Sequence, residues 1–297
     1  MAAIRRAAVH DSTSRHDRAQ LLIGMILGAA VMFWILGPAA MVDDAQRQTL
    51  GSGLRSSSPS GEGDAPWHPI HVFFGDRKAL PHSDQEWFAQ VRQDQVIVDL
   101  VGENGYFIDL AANDASDLSN TLALERHGWD GLCIEPNPMY WYGLSHRKCT
   151  VVGALVGGSV EKVKVKFRGV YGGIVGKLND RLANRKHEPE APEEWRYTAT
   201  LADVLTRFHV PHTVDYLSLD VEGAEMLIMK DFPFDKYTIK VMTIERPGSD
   251  LKELLQREGY IFLKDLVWWG ETLWAHKSTG LSPEHPKIQK ITTERKH

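Results

Sequence analysis

From residue 67 onward, apolar runs alternating with helical stretches predict an α/β domain. The expected architecture is a mostly parallel sheet with an antiparallel last strand, flanked by helices and preceded by one transmembrane helix. Three observations carry that reading. Short apolar runs at 106–111, 131–135, 149–155, 214–221 and 240–245 are bounded by turn and cap residues, as buried parallel strands are. The runs at 260–266 and 271–276 are separated by Trp268-Trp269-Gly270 and fit a terminal antiparallel pair. Residues 21–42 form a 22-residue stretch without a charge, which at about 1.5 Å per residue matches a hydrocarbon core of roughly 30 Å.

The N-terminal elements follow from charge and composition. Arg5, Arg6, Arg15 and Arg18 precede the apolar run and Asp43 and Asp44 follow it. Residues 1–20 are therefore expected to stay cytoplasmic, with the remainder luminal or extracellular, in the Golgi or endoplasmic reticulum. A cleaved signal peptide ending near residues 37–40 is the competing reading, but its basic region and apolar run would both be long. Gly24 and Gly28 form a small-xxx-small pair through which two such helices can pack as a weak homodimer. Residues 43–66, rich in Gly, Ser and Pro, hold too little apolar surface to offset the entropy of ordering and read as a flexible stem. The folded domain is assigned to 67–276, and 277–297 reads as a solvated polar tail.

Within the domain, the 106–111 strand leads through a tight loop to a helix capped by Ser116 and stopped by Gly128. After the 131–135 strand, Asn137 caps a short helix with Pro138 in its first turn. Residues 163–167 (VKVKF) alternate with strand period and put Lys164 and Lys166 on one face, which suggests an insertion rather than a central strand. The polar stretch 176–197 reads as a loop, and helices are expected at 200–208, 224–230 and 251–258.

With 43% hydrophobic and 25% charged residues, the 297-residue chain can bury one substantial core. Its net charge of −5 supplies no basic footprint for nucleic acid. Cys133 and Cys149 lie on adjacent strands, where a disulfide and two buried thiols are both open. His68-x-x-His71 and His209-x-x-His212 have no evident third ligand, so no metal site is expected. Trp67, Trp87, Trp141, Trp268 and Trp269 can stack on a sugar, but core or interface packing is the commoner use of such rings.

Three acids close strands. Ligands of a parallel α/β sheet sit at the carboxyl ends of strands where strand order reverses, and Asp109, Glu135 and Asp220 fall at such ends. Glu135 follows Asp109 by 26 residues, near the spacing at which an acid accepts hydrogen bonds from a nucleotide ribose. One such acid commonly caps the next helix, but three in order point to a nucleoside site. The first loop, 109–115 (DLAANDA), has no glycine, which argues against a pyrophosphate cradle. The 172–178 segment (GGIVGKL) lacks the spacing and the hydroxyl residue of a nucleoside triphosphate loop and reads as a flexible turn near the site.

YFIDLAANDA, GLCIEPNP, LSLDVEGAE and the terminal GYIFLKD and LWAH resemble, in order, successive motifs of FkbM-type methyltransferases, over about residues 100–276. The resemblance implies a Rossmann-like methyltransferase sheet and S-adenosyl-L-methionine as cofactor, which carries no phosphate, in keeping with the first loop. The expected reaction is methyl transfer to a hydroxyl of a glycan or other secretory-pathway acceptor. By the resemblance, Asp109, Ala111 and Asn113 line the methionine end of the cofactor, Glu135 the ribose, Pro136 and Asn137 the adenosine pocket, and Asp220 and Glu222 the reacting end. Asp220, Glu222 and Glu245 are the candidate bases for the acceptor proton. The first loop departs from the family's Asp-x-Gly-Ala-Asn-x-Gly, because Ala111 and Ala115 stand where it has glycine. If those positions require positive φ, alanine is strained there. The rival reading is a non-catalytic relative that uses the fold to bind or traffic membrane proteins.

Overall fold

The computed structural model describes residues 71–74, 84–168, 171–175 and 192–294. The expected tail, membrane span and stem at 1–66, with the Gly24 and Gly28 pair, lie outside the described residues. Among the described residues no helix is long and apolar enough to cross a membrane.

The first half of the chain forms β1 (His71–Phe74), α1 (Gln93–Val101), β2 (Tyr106–Leu110), α2 (Leu122–Arg126), β3 (Asp130–Ile134), α3 (Trp141–Leu144), β4 (Thr150–Gly153) and β5 (Leu155–Gly157). An excursion follows through β6 (Lys162–Arg168), β7 (Tyr171–Ile174) and β8 (Glu193–Thr200). The second half contains α4 (Leu201–Arg207), β9 (Thr213–Leu219), α5 (Glu225–Met229), β10 (Thr238–Glu245), α6 (Ser249–Arg257), β11 (Tyr260–Asp265), β12 (Glu271–His276) and α7 (Pro286–Lys290).

The main sheet has the order β1-β4-β3-β2-β9-β10-β12-β11. Neighbours from β4 to β10 are parallel, whereas β12 runs antiparallel to both β10 and β11. The expected reversed strand is thus β12, inserted between β10 and β11. The order turns back between β2 and β9, so their carboxyl ends mark the switch point. Ile108, Leu110, Leu217 and Leu219 pack into the core on one side of the sheet, and Phe107 and Tyr216 into the core on the other. Burial on both faces is why these strands read as near-continuous apolar runs.

Several elements differ from expectation for identifiable reasons. β1 was not anticipated; it pairs antiparallel with β4 at the sheet edge, from His71 opposite Gly153 to Phe74 opposite Thr150. The helix expected from Ser116 starts only at Leu122, because the Asp114 carboxylate takes the amides of Ser116 and Asp117, each at 2.9 Å. Such side-chain bonds offer the backbone a turn in place of a helix, and Leu118 follows with φ 56°. Residues 193–197, expected in a loop, belong to β8 and pair with β6. The insertion reading of 163–167 agrees with the structure, where β6 lies in a second sheet of order β5-β8-β6-β7. The tail is not a solvated extension as far as Glu294: Leu281 and Ile288 are buried, and Glu294 N donates to Leu266 O at 2.9 Å. Two buried apolar side chains and the backbone pairing at Glu294 dock it, and the polar composition of the segment hid them.

Cys133 and Cys149 form a disulfide, with Cα atoms 5.9 Å apart, joining β3 to the residue before β4. The 16-residue separation corresponds to about 3 kcal/mol of unfolded-state entropy. Cys133→Ala/Cys149→Ala is expected to lose about that much stability in urea unfolding; an unchanged midpoint would show that the bridge is dispensable.

Candidate functional site

A cleft opens at the switch point. The loops after β2, β3 and β9 supply Leu110, Ala111 and Asn113, then Glu135, Pro136, Asn137 and Tyr140, then Asp220, Val221, Glu222 and Ala224. The facing wall comes from the β4–β5 connection and the second sheet: Ala154, Leu155, Val156, Phe167, Gly172, Gly173 and Ile174. That wall was not anticipated beyond the turn at 172–178, since it belongs to an insertion without a chemical motif. Gly172 is required by packing, because a Cβ there would lie 2.6 Å from the Phe167 ring.

Ala111, Asn113, Glu135, Pro136, Asn137, Asp220 and Glu222 therefore converge, as the motif order implied, whereas Asp109 and Glu245 are not on the cleft wall. Strand alternation explains Asp109. Leu110 faces the cleft, so the side chain one residue earlier points to the opposite face of the sheet. There Thr121 Oγ1 donates to Asp109 Oδ2 at 2.6 Å, and Arg147 donates to Thr121 Oγ1, Ser119 Oγ and Glu125 Oε1, each at 2.9 Å. Burial raises the Asp109 pKa, while the Thr121 hydrogen bond and the Arg147 charge oppose the shift. Asp109 thus anchors the first loop from beneath.

Glu135 is only 4% exposed yet lies on the cleft wall. Its Oε2 accepts from Asn113 N at 2.8 Å and its Oε1 from Asn137 N at 2.6 Å, tying together the loops after β2 and β3. Burial pushes its pKa up to about 7, against the pull of those two amides. Asn137 also caps the following turn by accepting from Met139 N at 3.2 Å, as its place before Pro138 implied. Asn113 Oδ1 is buried and has no hydrogen-bond partner among the described residues.

At the other end of the cleft, carboxylate oxygens of Asp220, Glu222 and Glu245 lie within 4.8 Å of one another. Burial, then the adjoining Glu245, holds the Asp220 carboxyl well above the usual carboxylate range. Glu245 sits behind Asp220 and accepts from Arg246 Nη2, whose guanidinium lies 5.9 Å from the Trp269 ring. Glu271, opposite Glu245 in the β10–β12 register, is buried, and burial followed by Glu245 pushes it up to about 8. That register brings Glu271 to the site, and chain adjacency to Glu245 brings Arg246; no motif announced either.

The backbone is strained where the cleft is lined. Ala111, Asn113 and Glu222 have φ of 67°, 55° and 54°, a region that costs a non-glycine residue roughly 1–2 kcal/mol. The family's first glycine position thus requires the left-handed conformation. Ala115, at the second, has no positive φ, and its methyl packs in the core beneath the loop. Ala111→Gly is expected to raise stability by about 1 kcal/mol and Ala115→Gly to lower it by a similar amount. Thermal denaturation checks the pair, and equal effects of one sign would remove the distinction.

The histidines and tryptophans singled out in the sequence lie away from the cleft where they are described. His209 and His212 join no cluster of three ligand-type side chains among the described residues, and His212 packs on Tyr237 at 5.4 Å. Trp87 stacks on His127 and Trp141 Nε1 donates to Glu135 O at 2.8 Å; neither they nor Trp268 and Trp269 line the cleft. His68 and Trp67 lie outside the described residues.

Comparison with known proteins yields one match. No curated protein and no solved structure matches the chain. The model of the methyltransferase FkbM domain matches residues 109–262, a span that begins with the first loop, includes all three cleft-forming loops and the inserted sheet, and ends in β11. With more than half of the sequence matched and a mixed sheet that opens a cleft at its switch point, the chain belongs to the FkbM methyltransferase family.

Proposed function

We propose that the protein is an S-adenosyl-L-methionine-dependent O-methyltransferase acting on a glycan or other hydroxyl-bearing acceptor of the secretory pathway. The observation that carries this reading is the buried, partnerless Asn113 Oδ1 on the wall of a cleft whose ionisable lining groups are chiefly carboxyls. An acceptor-rich cleft suits a ligand rich in donors and positive charge, and buried acceptors left unpaired are costly without one. S-adenosylmethionine fits that lining, and when bound it supplies an electrophilic methyl group.

In this reading Glu135 accepts from the ribose hydroxyls, Asn113 from the amino-acid end, and Pro136, Asn137 and Tyr140 border the adenosine. Asp109 holds the first loop in place from beneath. Asp220 and Glu222 border the reacting end, where Glu222 takes the acceptor proton and Glu245, fixed by Arg246, supports Asp220. Positioning the acceptor hydroxyl between a base and the cofactor site converts an encounter into a local step.

The arginine-flanked span at 21–42 supports a single-pass anchor with the domain luminal, and the Cys133–Cys149 disulfide is of the kind that persists in an oxidising compartment. Self-association through Gly24 and Gly28 belongs to the same proposal. The test is transfer of labelled methyl groups to acceptors extracted from secretory membranes. Incorporation supports the enzyme; cofactor binding without incorporation into any such pool would favour the non-catalytic binding role instead.

A further inference from the structure

The second sheet has a face unlike the one that lines the cleft. In the β6–β8 pairing, Lys162 stands opposite Tyr197, Lys164 opposite Trp195 and Lys166 opposite Glu193. Alternation puts these six side chains on one face, and Val163, Val165 and Phe167 on the other. Trp195 is 61% exposed. Lys164 Nζ and Lys162 Nζ lie 5.4 and 5.7 Å from its ring centroid, and Lys162 Nζ lies 6.0 Å from that of Tyr197. Glu193 pairs with Lys164 at 3.1 Å. The face therefore sets three ammonium groups against one carboxylate, on a chain whose net charge is −5.

An exposed indole between ammonium groups has a specific chemical use. Its ring offers a flat platform for the C–H face of a pyranose, and flanking cations pair with sulfate or carboxylate groups on the same sugar chain. A continuous nucleic-acid backbone is disfavoured by the acidic remainder of the protein. The face also continues toward the cleft. β7 is the edge strand of this sheet, and its Gly172 and Gly173 line the cleft. Among the described residues, a Cβ at Gly173, opposite Lys166, would meet nothing within 4 Å. Gly173 thus belongs both to the cleft lining and, through its pairing with Lys166, to the strand register of the lysine face.

We infer that this face binds an anionic carbohydrate chain, with Trp195 as the stacking platform and Lys162, Lys164 and Lys166 as its charge partners. The inference extends the acceptor side of the proposed function. Binding is therefore measured without cofactor, so that the two ideas fail separately. The experiment titrates the full chain in detergent with a heparin-derived octasaccharide at about 0.15 M salt, where weak surface attraction is screened. Polyglutamate, oligothymidylate and phosphatidylserine vesicles serve as comparisons. The octasaccharide is expected to bind more tightly than all three, and Trp195→Ala and Lys162→Gln/Lys164→Gln are each expected to weaken it tenfold or more. Should Trp195→Ala fail to fold, the lysine pair and Lys166→Gln decide alone. No binding, tighter binding of any comparison, or affinity unchanged in the folded variants overturns the inference.

Discussion

Glu222→Gln is expected to lower methyl transfer by roughly 10²–10⁴-fold while melting temperature and cofactor affinity stay near the parent's. The amide keeps the shape of the side chain and removes its basicity. Glu222 lines the cleft, and its oxygens lie within 4.8 Å of those of Asp220 and Glu245. The alternative is that these acids merely favour the N-terminus of α5, where each would add about 0.3–1 kcal/mol and nothing to turnover. The local hydrogen bonding speaks against that, because Glu225 accepts from Gly223 N at 3.0 Å. A helix start already served by its own first residue leaves Asp220 and Glu222 to the cleft. Removing one charge from an acidic cluster should relieve repulsion, so a large fall in melting temperature would indicate a structural role. Transfer at the parent rate would dismiss Glu222 as the base and turn attention to Asp220→Asn.

Arg147→Met is expected to cost about 3–5 kcal/mol in urea unfolding. The guanidinium is buried and donates to Glu125, Ser119 and Thr121. Glu125 in turn accepts from Lys148 N and Cys149 N, each at 3.0 Å, so the network holds the segment entering β4 beside the disulfide. Methionine fills the space but leaves Glu125 as a buried anion without its cation. Breaking such a pair is more damaging than replacing both members, so Arg147→Met/Glu125→Leu should recover part of the loss, the remainder reflecting the Lys148 and Cys149 amides left without their acceptor. A single variant within 1 kcal/mol of the parent would mean that Asp109 and the first loop are held by other contacts.

What the sequence disclosed divides along physical lines. Buried parallel strands announce themselves, because two covered faces demand continuous apolar runs, and the acids at their carboxyl ends then fall where the topology gathers ligands. Glu135 and Asp220 could be placed at strand ends for that reason, whereas Glu222 was named only through the resemblance. Asp109 shows the limit. It belongs to the motif, yet the alternation of Phe107, Ile108, Asp109 and Leu110 places it on the far side of the sheet from the cleft. Contacts set by register are harder to read: Glu271 meets Glu245 only through the β10–β12 pairing. β8 was obscured because its residues pair through lysine and aromatic contacts rather than through an apolar stripe. The strain at Ala111 was visible as a conditional, and φ of 67° met the condition.

The claim that the cleft is a cofactor site is tested most directly by calorimetric titration of the protein with S-adenosylmethionine at pH 6 and pH 8. Glu135, whose pKa burial raises to about 7, keeps its proton at the lower pH and loses it at the higher. Only the ionised form leaves both oxygens as full acceptors for ribose hydroxyls, so affinity should rise with pH through that window, by up to tenfold per unit below about 7. One site per chain, tighter binding at pH 8, and a loss of tenfold or more in folded Glu135→Ala are expected. No binding at either pH, or the same affinity with and without the Glu135 carboxylate, would contradict that claim.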